Sequence, residues 1–240
     1  MVKDYRMIAA AVRSAERPGL VTGAEPEHAV YPYVTISRQA GAGGTTFGQL
    51  LVGRLNRIDK GPRPWRVFGR DLVEQVAGER RIPAHLVRDL EDASRNWLTD
   101  LIDSLQITET APDETTFYHH VRLAILSLAR SGRVILVGRG APFITESVGG
   151  GIHLYLVAPR EVRIERMADQ LGLSHDAAAE RVREIDEGRE SFRRRYWRHR
   201  PFGPEAVTLT INTGAGTMEE LVETVIPLIR SRQKSETAAE

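Results

Sequence analysis

Between Tyr33 and Leu55 an apolar run, a glycine-rich turn and an amphipathic helical pattern follow one another, and this stretch constrains the fold more than any other in the 240 residues. Tyr33, Val34 and Ile36 read as a strand, Gly41, Gly43 and Gly44 as the turn, and Phe47, Leu50, Leu51 and Leu55 as one face of a helix. Glycines let successive backbone N–H groups converge on an anion, and the helix N-terminus adds partial positive charge. The stretch Gly41, Ala42, Gly43, Gly44, Thr45 and Thr46 is therefore a candidate phosphate cradle. The usual fingerprint closes on Gly-Lys-Ser/Thr, with Lys on the phosphates and the hydroxyl on Mg²⁺. Here Gly44 stands in the Lys position and Thr45, the candidate metal ligand, follows it. The loop lacks its own cation.

That gap gives the basic composition its meaning. Lysine occurs only at Lys3, Lys60 and Lys234, so every other cation is Arg. A cation serving the loop must be an Arg, or Lys60 folded back from the far end of the first helix; Arg binds phosphate bidentately and stays charged. A net charge of +1 argues against a general nucleic-acid binder. The chain has no cysteine, which excludes disulfides and thiolate metal sites and makes the cytoplasm the default compartment. No window reaches the roughly 18 apolar residues of a membrane span, and the first residues make a poor secretory signal.

Apolar runs alternate with helical patterns along the chain. Strands are expected at Tyr33–Ser37, Trp65–Phe68, Arg133–Val137, Ile152–Val157 and Val207–Ile211. The continuously apolar runs Val134–Val137 and Leu154–Val157 suit central strands covered on both faces. Gly132 is placed to cap the helix before the third strand, Pro159 and Gly172 to bound a helix after the fourth, and Thr217 with Glu220 to form a capping box. Pro227 should kink the last helix. The fold class expected is α/β, a doubly wound parallel five-stranded sheet in a domain spanning 31–232. Residues 1–30 read as an extension, about 78–116 as an inserted helical lobe, about 174–203 as an arginine-rich lid, and 233–240 as a flexible tail.

Ligands of open parallel sheets bind beyond the carboxyl ends of the strands. Gly138-Arg139-Gly140 follows the third strand there, which would hold Arg139 over the crevice. Arg189, Arg193, Arg194, Arg195, Arg198 and Arg200 form a second basic group. Such a run is usually a solvated helix face, but a lid carrying arginines onto a phosphoryl group would look alike. Arg189 and Arg193, one helical turn apart, could point the same way. His119-His120 do not share a helical face and favour a structural role, as does the apolar stripe around Trp97. Asp71 and Asp186 are isolated acids that spacing leaves unassigned.

Together these blocks resemble the cytidylate kinase-like family of P-loop nucleoside monophosphate kinases. The matching residues are Ile36-Ser37-Arg38 with Gly41-Ala42-Gly43-Gly44, Val137-Gly138-Arg139-Gly140-Ala141, and Ala158-Pro159-Arg160 with Arg163, Arg166 and Met167. Ile185-Asp186 with Arg189 and Ile211-Asn212-Thr213 follow in the same order. The resemblance implies an ATP-binding loop with Mg²⁺, nucleotide substrates, a monophosphate-binding lobe and an arginine lid. It assigns Arg38, Arg139, Arg189 and Arg193 as the catalytic cations and a CMP- or dCMP-like monophosphate as acceptor. Two departures stand out: Thr45 where family members often carry Arg, and Gly69-Arg70-Asp71 after the second strand. These motivate an alternative, a nucleotide- or phosphate-sensing module that keeps the fold without turnover. A third reading, RNA or partner binding through Arg193–Arg200, lacks interleaved aromatics beyond Tyr196, Trp197 and Phe202.

Overall fold

The computed structural model describes residues 28–69, 114–200 and 202–237. The elements are β1 (His28–Arg38), α1 (Gly44–Ile58), β2 (Arg66–Phe68), α2 (Glu114–Ser131), β3 (Val134–Val137) and α3 (Ala141–Ile144). They continue with β4 (Gly149–Val157), α4 (Arg160–Leu171), α5 (His175–Tyr196), β5 (Leu209–Asn212) and α6 (Met218–Thr237). All five strands are parallel, in the order β2-β3-β1-β4-β5. The expected α/β sheet is present, with β1 beginning five residues earlier than expected and pairing His28 with Gly149 across a register shift. The calls on the extension to residue 27, the lobe as far as residue 113, Trp97 and Asp71 lie outside the described residues, as do the side chains of His119 and His120.

Two layers flank the sheet. Val34, Ile36, Ile135, Val137, Ile152, Leu154, Leu156 and Ile211 face one side and bury against Phe47, Leu51 and Leu55 of α1 and Val222, Val225 and Ile229 of α6. On the opposite face Tyr33 donates through its hydroxyl to the carbonyls of Thr145 (3.1 Å) and Val148 (2.8 Å) beside α3. β3 is buried along its whole length, as its sequence predicts. β4 is not: Leu154 and Leu156 are buried, whereas His153, Tyr155 and Val157 are half-buried. Its second face is the floor on which α5 and the chain after it rest.

Local signals set the ends of the elements. Gly132 (φ 68°) and Gly172 (φ 65°) turn left-handed where helices stop. Thr217 and Glu220 exchange backbone-to-side-chain bonds (2.9 and 3.3 Å), so the capping box forms. α6 runs without a break through Pro227 to Thr237, so the residues after Ser231, expected to fray, extend the helix instead. Gln233 explains why. Its amide donates to Asp59 (2.6 Å), which also accepts Trp65 Nε1 (2.9 Å), Arg133 Nη1 (2.7 Å) and the Gly61 amide (3.0 Å).

This node closes the amino end of the sheet. Arg133, expected to begin β3, takes φ 52°, a conformation non-glycine residues enter at a cost of about 1–2 kcal/mol. It is held there by its amide bond to Pro32 (2.8 Å) and by a guanidinium 2% exposed, set over the rings of Trp65 (5.6 Å) and Tyr31 (6.0 Å). Burial by itself raises the Asp59 pKa. Hydrogen bonds from Trp65, Gln233, Gly61 and Arg133 outweigh it and hold the carboxyl below its ordinary value. A depressed acid contributes stability above its unfolded pKa of about 4 and loses it as pH falls through the folded value. Asp59→Ala should cost about 3 kcal/mol at pH 7, because it leaves a buried guanidinium without its carboxylate. That corresponds to a Tm about 10 °C lower, with the deficit shrinking below about pH 4. A drop in Tm that is the same at pH 7 and pH 3 would reject this account.

Candidate functional site

The chain leaves β1 at Arg38, turns through Gln39–Gly43 and enters α1 at Gly44. Two left-handed glycines make the turn: Gly41 (φ 72°) packs on the Arg163 carbonyl, and Gly43 (φ 76°) lies under the Met218 methyl group. The Ala42 carbonyl accepts from Thr213 Oγ1 (3.0 Å), and Arg166 in turn donates to Thr213 Oγ1 (2.9 Å). The amides of Gly43, Gly44, Thr45 and Thr46 have no acceptor among the described residues, and both threonines are exposed. Four free donors at a helix N-terminus fit a phosphate ligand. Among the described residues no three His, Asp or Glu gather as a metal site.

Arg38 approaches Gly44 from the other side of the turn. A Cβ on Gly44 would lie 2.9 Å from Arg38 Cγ and 3.1 Å from its Cδ, so the Arg38 stem rests on the residue that replaces Lys. Lys60 stays at the far end of α1, bonded to the Asn56 carbonyl (3.3 Å). Beyond Gly44 the Arg38 guanidinium enters a cavity of about 240 Å³ at the carboxyl ends of β1, β3 and β4. Arg139, Arg189 and Arg193 line the same cavity, with Ser37, Tyr155, Asp186 and Phe202. All four predicted arginines thus meet in one place. Gly41–Thr46 do not line this space, whereas Gln39 of the turn does, and Arg38 is the cation that reaches from one to the other.

Two of these charges face carboxylates, Arg189 with Asp186 at 3.8 Å and Arg193 with Glu190. Burial, then the neighbouring Arg189 and Arg139, lowers the Arg38 pKa well below the ordinary arginine value. Burial and Arg189 push Arg139 down to about 9. Arg189 is lowered chiefly by burial, against the opposing pull of Asp186. By surface these groups are only half-buried, because solvent reaches them through the cavity. Arg38 Nη1, Arg189 Nε and Ser37 Oγ are buried without a hydrogen-bond partner, and Ser37 is 6% exposed. Unmet donors beside crowded cations favour an oxyanion.

Helix α5 carries two of the arginines, and its docking separates functional from solvated ones. Ser174 caps it by accepting from the Ala177 amide (3.3 Å), and Ala178 and Val182 bury against Ile164, Met167 and Ala40. Asp186 accepts the Ala40 amide (2.7 Å) and Arg163 Nη1 (2.6 Å). One turn on, Arg189 donates to the Arg38 carbonyl (2.9 Å). Arg193 pairs with Glu190 and covers the Phe202 ring at 4.9 Å. Arg194 also pairs with Glu190 (3.0 Å) but is solvated, and Arg200 turns away to Glu146. The aromatics after Arg193 act as a seat: Trp197 stacks on Phe143 (5.1 Å) and Phe202 meets Tyr155 edge-on (5.0 Å). The segment expected as a lid is therefore docked, and its arginines divide by helical face. Sequence reasoning left Asp186 unassigned and missed Ser37, Tyr155 and Phe202 as cavity residues. Only the position of Tyr155 at the end of a strand was a usable signal.

Residues 33–215 match the model of the cytidylate kinase-like family. A uronate isomerase of Corynebacterium glutamicum is 35% identical over 102 residues, 42% of this chain and 20% of that protein. The chain thus spans about a fifth of the length of the curated relative it matches. The crystal structure of an uncharacterized protein from Eubacterium ventriosum shares the fold, with a TM-score of 0.54 at 15% identity, over 83% of this chain and 99% of that one. Shikimate kinase from Bacteroides thetaiotaomicron aligns over 83% of this chain and 98% of its own at 15% identity, with a TM-score of 0.47.

Two variants test the site without any assumption about turnover. Arg38→Met removes one of the crowded charges and keeps the stem on Gly44. In phosphate-free buffer it should raise Tm by about 3 °C, while reducing stabilisation by inorganic phosphate; a lower Tm would mean the charge is already compensated. At Gly140 (φ 72°) a Cβ would overlap the Trp197 ring. Gly140→Ala should cost at least about 1 kcal/mol and shift tryptophan emission to the red as Trp197 leaves its seat. Unchanged emission would show that the ring is not held there.

Proposed function

The chain belongs to the cytidylate kinase-like family, and from that premise we propose that it is an ATP-dependent phosphotransferase whose acceptor is a CMP- or dCMP-like nucleoside monophosphate. One observation carries the reading. Arg38 spans from the glycine turn, where its stem fills the place left by Gly44, to the cavity it shares with Arg139 and Arg189. A cation between a donor-phosphate loop and an acceptor-phosphate cavity stands where charge develops during transfer.

The bound Mg-ATP supplies the γ-phosphoryl group. The protein's own part is positioning and charge neutralisation. The amides of Gly43, Gly44, Thr45 and Thr46 hold the donor phosphates, with Gly41 and Ala42 shaping the turn and Thr45 contacting the metal. Arg139 and Arg193 hold the acceptor phosphate, and Arg38 and Arg189 steady the transferring group. The docked aromatic seat, with Phe202 lining the cavity, narrows its access to water, which strengthens each of these contacts.

The direct test is chromatographic detection of diphosphate product from Mg-ATP with CMP, dCMP, UMP, AMP or GMP in turn. Gluconate and uronates belong in the same panel, since an arginine cavity also accepts carboxylates and the relative from Corynebacterium glutamicum is a uronate isomerase. Product from CMP or dCMP is the expected result. Product from a sugar acid alone would move the acceptor to that class. No product from any, with Mg-ATP still bound, would favour a sensor on the same fold. Arg38→Met should lower turnover by about 10³-fold, the low end of what one transition-state arginine supplies. Adding Gly44→Lys to Arg38→Ala, which clears the stem atoms that a Cβ on Gly44 would meet, should recover part of the activity Arg38→Ala loses. A double variant as slow as Arg38→Ala would show that Arg38 is not the relocated loop cation.

A further inference from the structure

We propose that Asp186 is a positioning residue that fastens the glycine turn to helix α5, so that one carboxylate sets both the donor and the acceptor site. The inference rests on the phosphotransferase reading for what the two sites bind, but its geometry is independent of it. Three hydrogen bonds join the first limb of the turn to α4 and α5, and Asp186 is central to them. Its Oδ1 accepts the Ala40 amide at 2.7 Å, and its Oδ2 accepts Arg163 Nη1 at 2.6 Å. Arg163 donates to the Ala40 carbonyl (3.2 Å) and to the Ala158 carbonyl (3.1 Å), so both polar groups of the Ala40 backbone are held by the Asp186–Arg163 pair. The third bond, from Arg189 to the Arg38 carbonyl (2.9 Å), lies one helical turn further along α5.

This arrangement changes what the arginine helix can do. A lid that swings away must break its contacts with the sheet. Here α5 cannot leave while Ala40 keeps its amide partner, and a buried amide with no partner costs about 1–3 kcal/mol. Arg163 is 11% exposed and Asp186 32%, so losing the carboxylate strands the more buried guanidinium as well as an amide. The wall that bears Arg189 is therefore fixed to the turn, and the turn is shaped by the wall. A substitution at Asp186 should disturb ligands on both sides, whereas one at Arg189 should disturb the cavity alone. Asp186 contacts the turn and Arg163, lies 3.8 Å from Arg189 and lines the cavity beside it, and its positioning role is the fastening of the turn.

The test compares Asp186→Asn, Asp186→Ala and Arg189→Met with the full-length wild type. Calorimetry reads Mg-ADP for the glycine turn and inorganic phosphate for the cavity, and amide exchange reads the peptide containing Ala40. Asp186→Asn should weaken both probes by about tenfold or more, and Asp186→Ala should add a matching rise in exchange at Ala40. Arg189→Met should weaken phosphate and leave Mg-ADP within about twofold. Asp186→Asn is the conservative change if Asp186→Ala does not fold. Unchanged exchange with unchanged Mg-ADP affinity in a folded Asp186 variant overturns the proposal, as does loss of only one probe. If wild type binds no Mg-ADP, the donor assignment fails, and Ala40 exchange with phosphate affinity still decides the role of Asp186.

Discussion

Like charges held together against their repulsion are the constraint on which this structure turns. Arg38 comes from β1, Arg139 from the turn after β3, and Arg189 from α5, so three separate elements must be driven into one cavity. No local preference does this. The sheet brings the first two together because β1 and β3 are neighbours in register, Ile36 beside Val137. The third arrives because α5 buries Ala178 and Val182 and is fastened by Asp186. Hydrophobic packing at one end of a helix thus fixes an unfavourable charge at the other, as expected of preorganised sites.

The opposite pole offsets that cost. Asp59 accepts four donors and satisfies Arg133 at the amino end of the sheet, joining the ends of α1 and α6 to the start of β3. Cations occur at both ends, but with inverse logic. Arg133 is buried with a carboxylate that satisfies it, whereas the half-buried Arg38 and Arg189 each keep one buried nitrogen without a partner. The first pattern holds a fold together. The second waits for an anion. The presence or absence of acceptors separates them.

Much of this was legible because it follows from short-range rules. Strand runs, the Gly41-x-Gly43-Gly44 turn, the cap at Gly132 and the Thr217–Glu220 box all depend on residues a few positions apart, and all form, although β1 begins earlier and β5 later than the pattern places them. The placement of Arg139 at a strand's carboxyl end follows from topology alone. The reach of Arg38 across Gly44 does not, since a residue before the turn fills the place of one after it only once the turn is folded. Asp186 was opaque for a similar reason: its partners, Ala40 and Arg163, are 146 and 23 residues away. Helical phase placed Arg189 and Arg193 on one face, and both line the cavity, but it could not say that Glu190 would bridge Arg193 and the solvated Arg194 or that Arg200 would turn to Glu146. The end of α6 was misread because a polar tail looks frayed until Asp59 is seen to hold Gln233.

The scarcity of lysine belongs to the same physics. A lysine pressed among cations in a partly desolvated cavity would shed its proton, since burial and like charge both lower an ammonium pKa by several units. A neutral amine there would relieve the repulsion and remove the anion site with it. Arginine resists this because its charge is delocalised and its unperturbed pKa is far higher. Once the loop's cation is moved from the flexible start of a helix to the end of a central strand, beside Arg139 and Arg189, arginine is the residue that can remain charged there. The move also exchanges a mobile ammonium for a planar fork anchored by its stem on Gly44. The same change accounts for a glycine where a lysine is expected, an arginine before the turn, and a neighbouring helix fastened tightly enough to keep the charges in place.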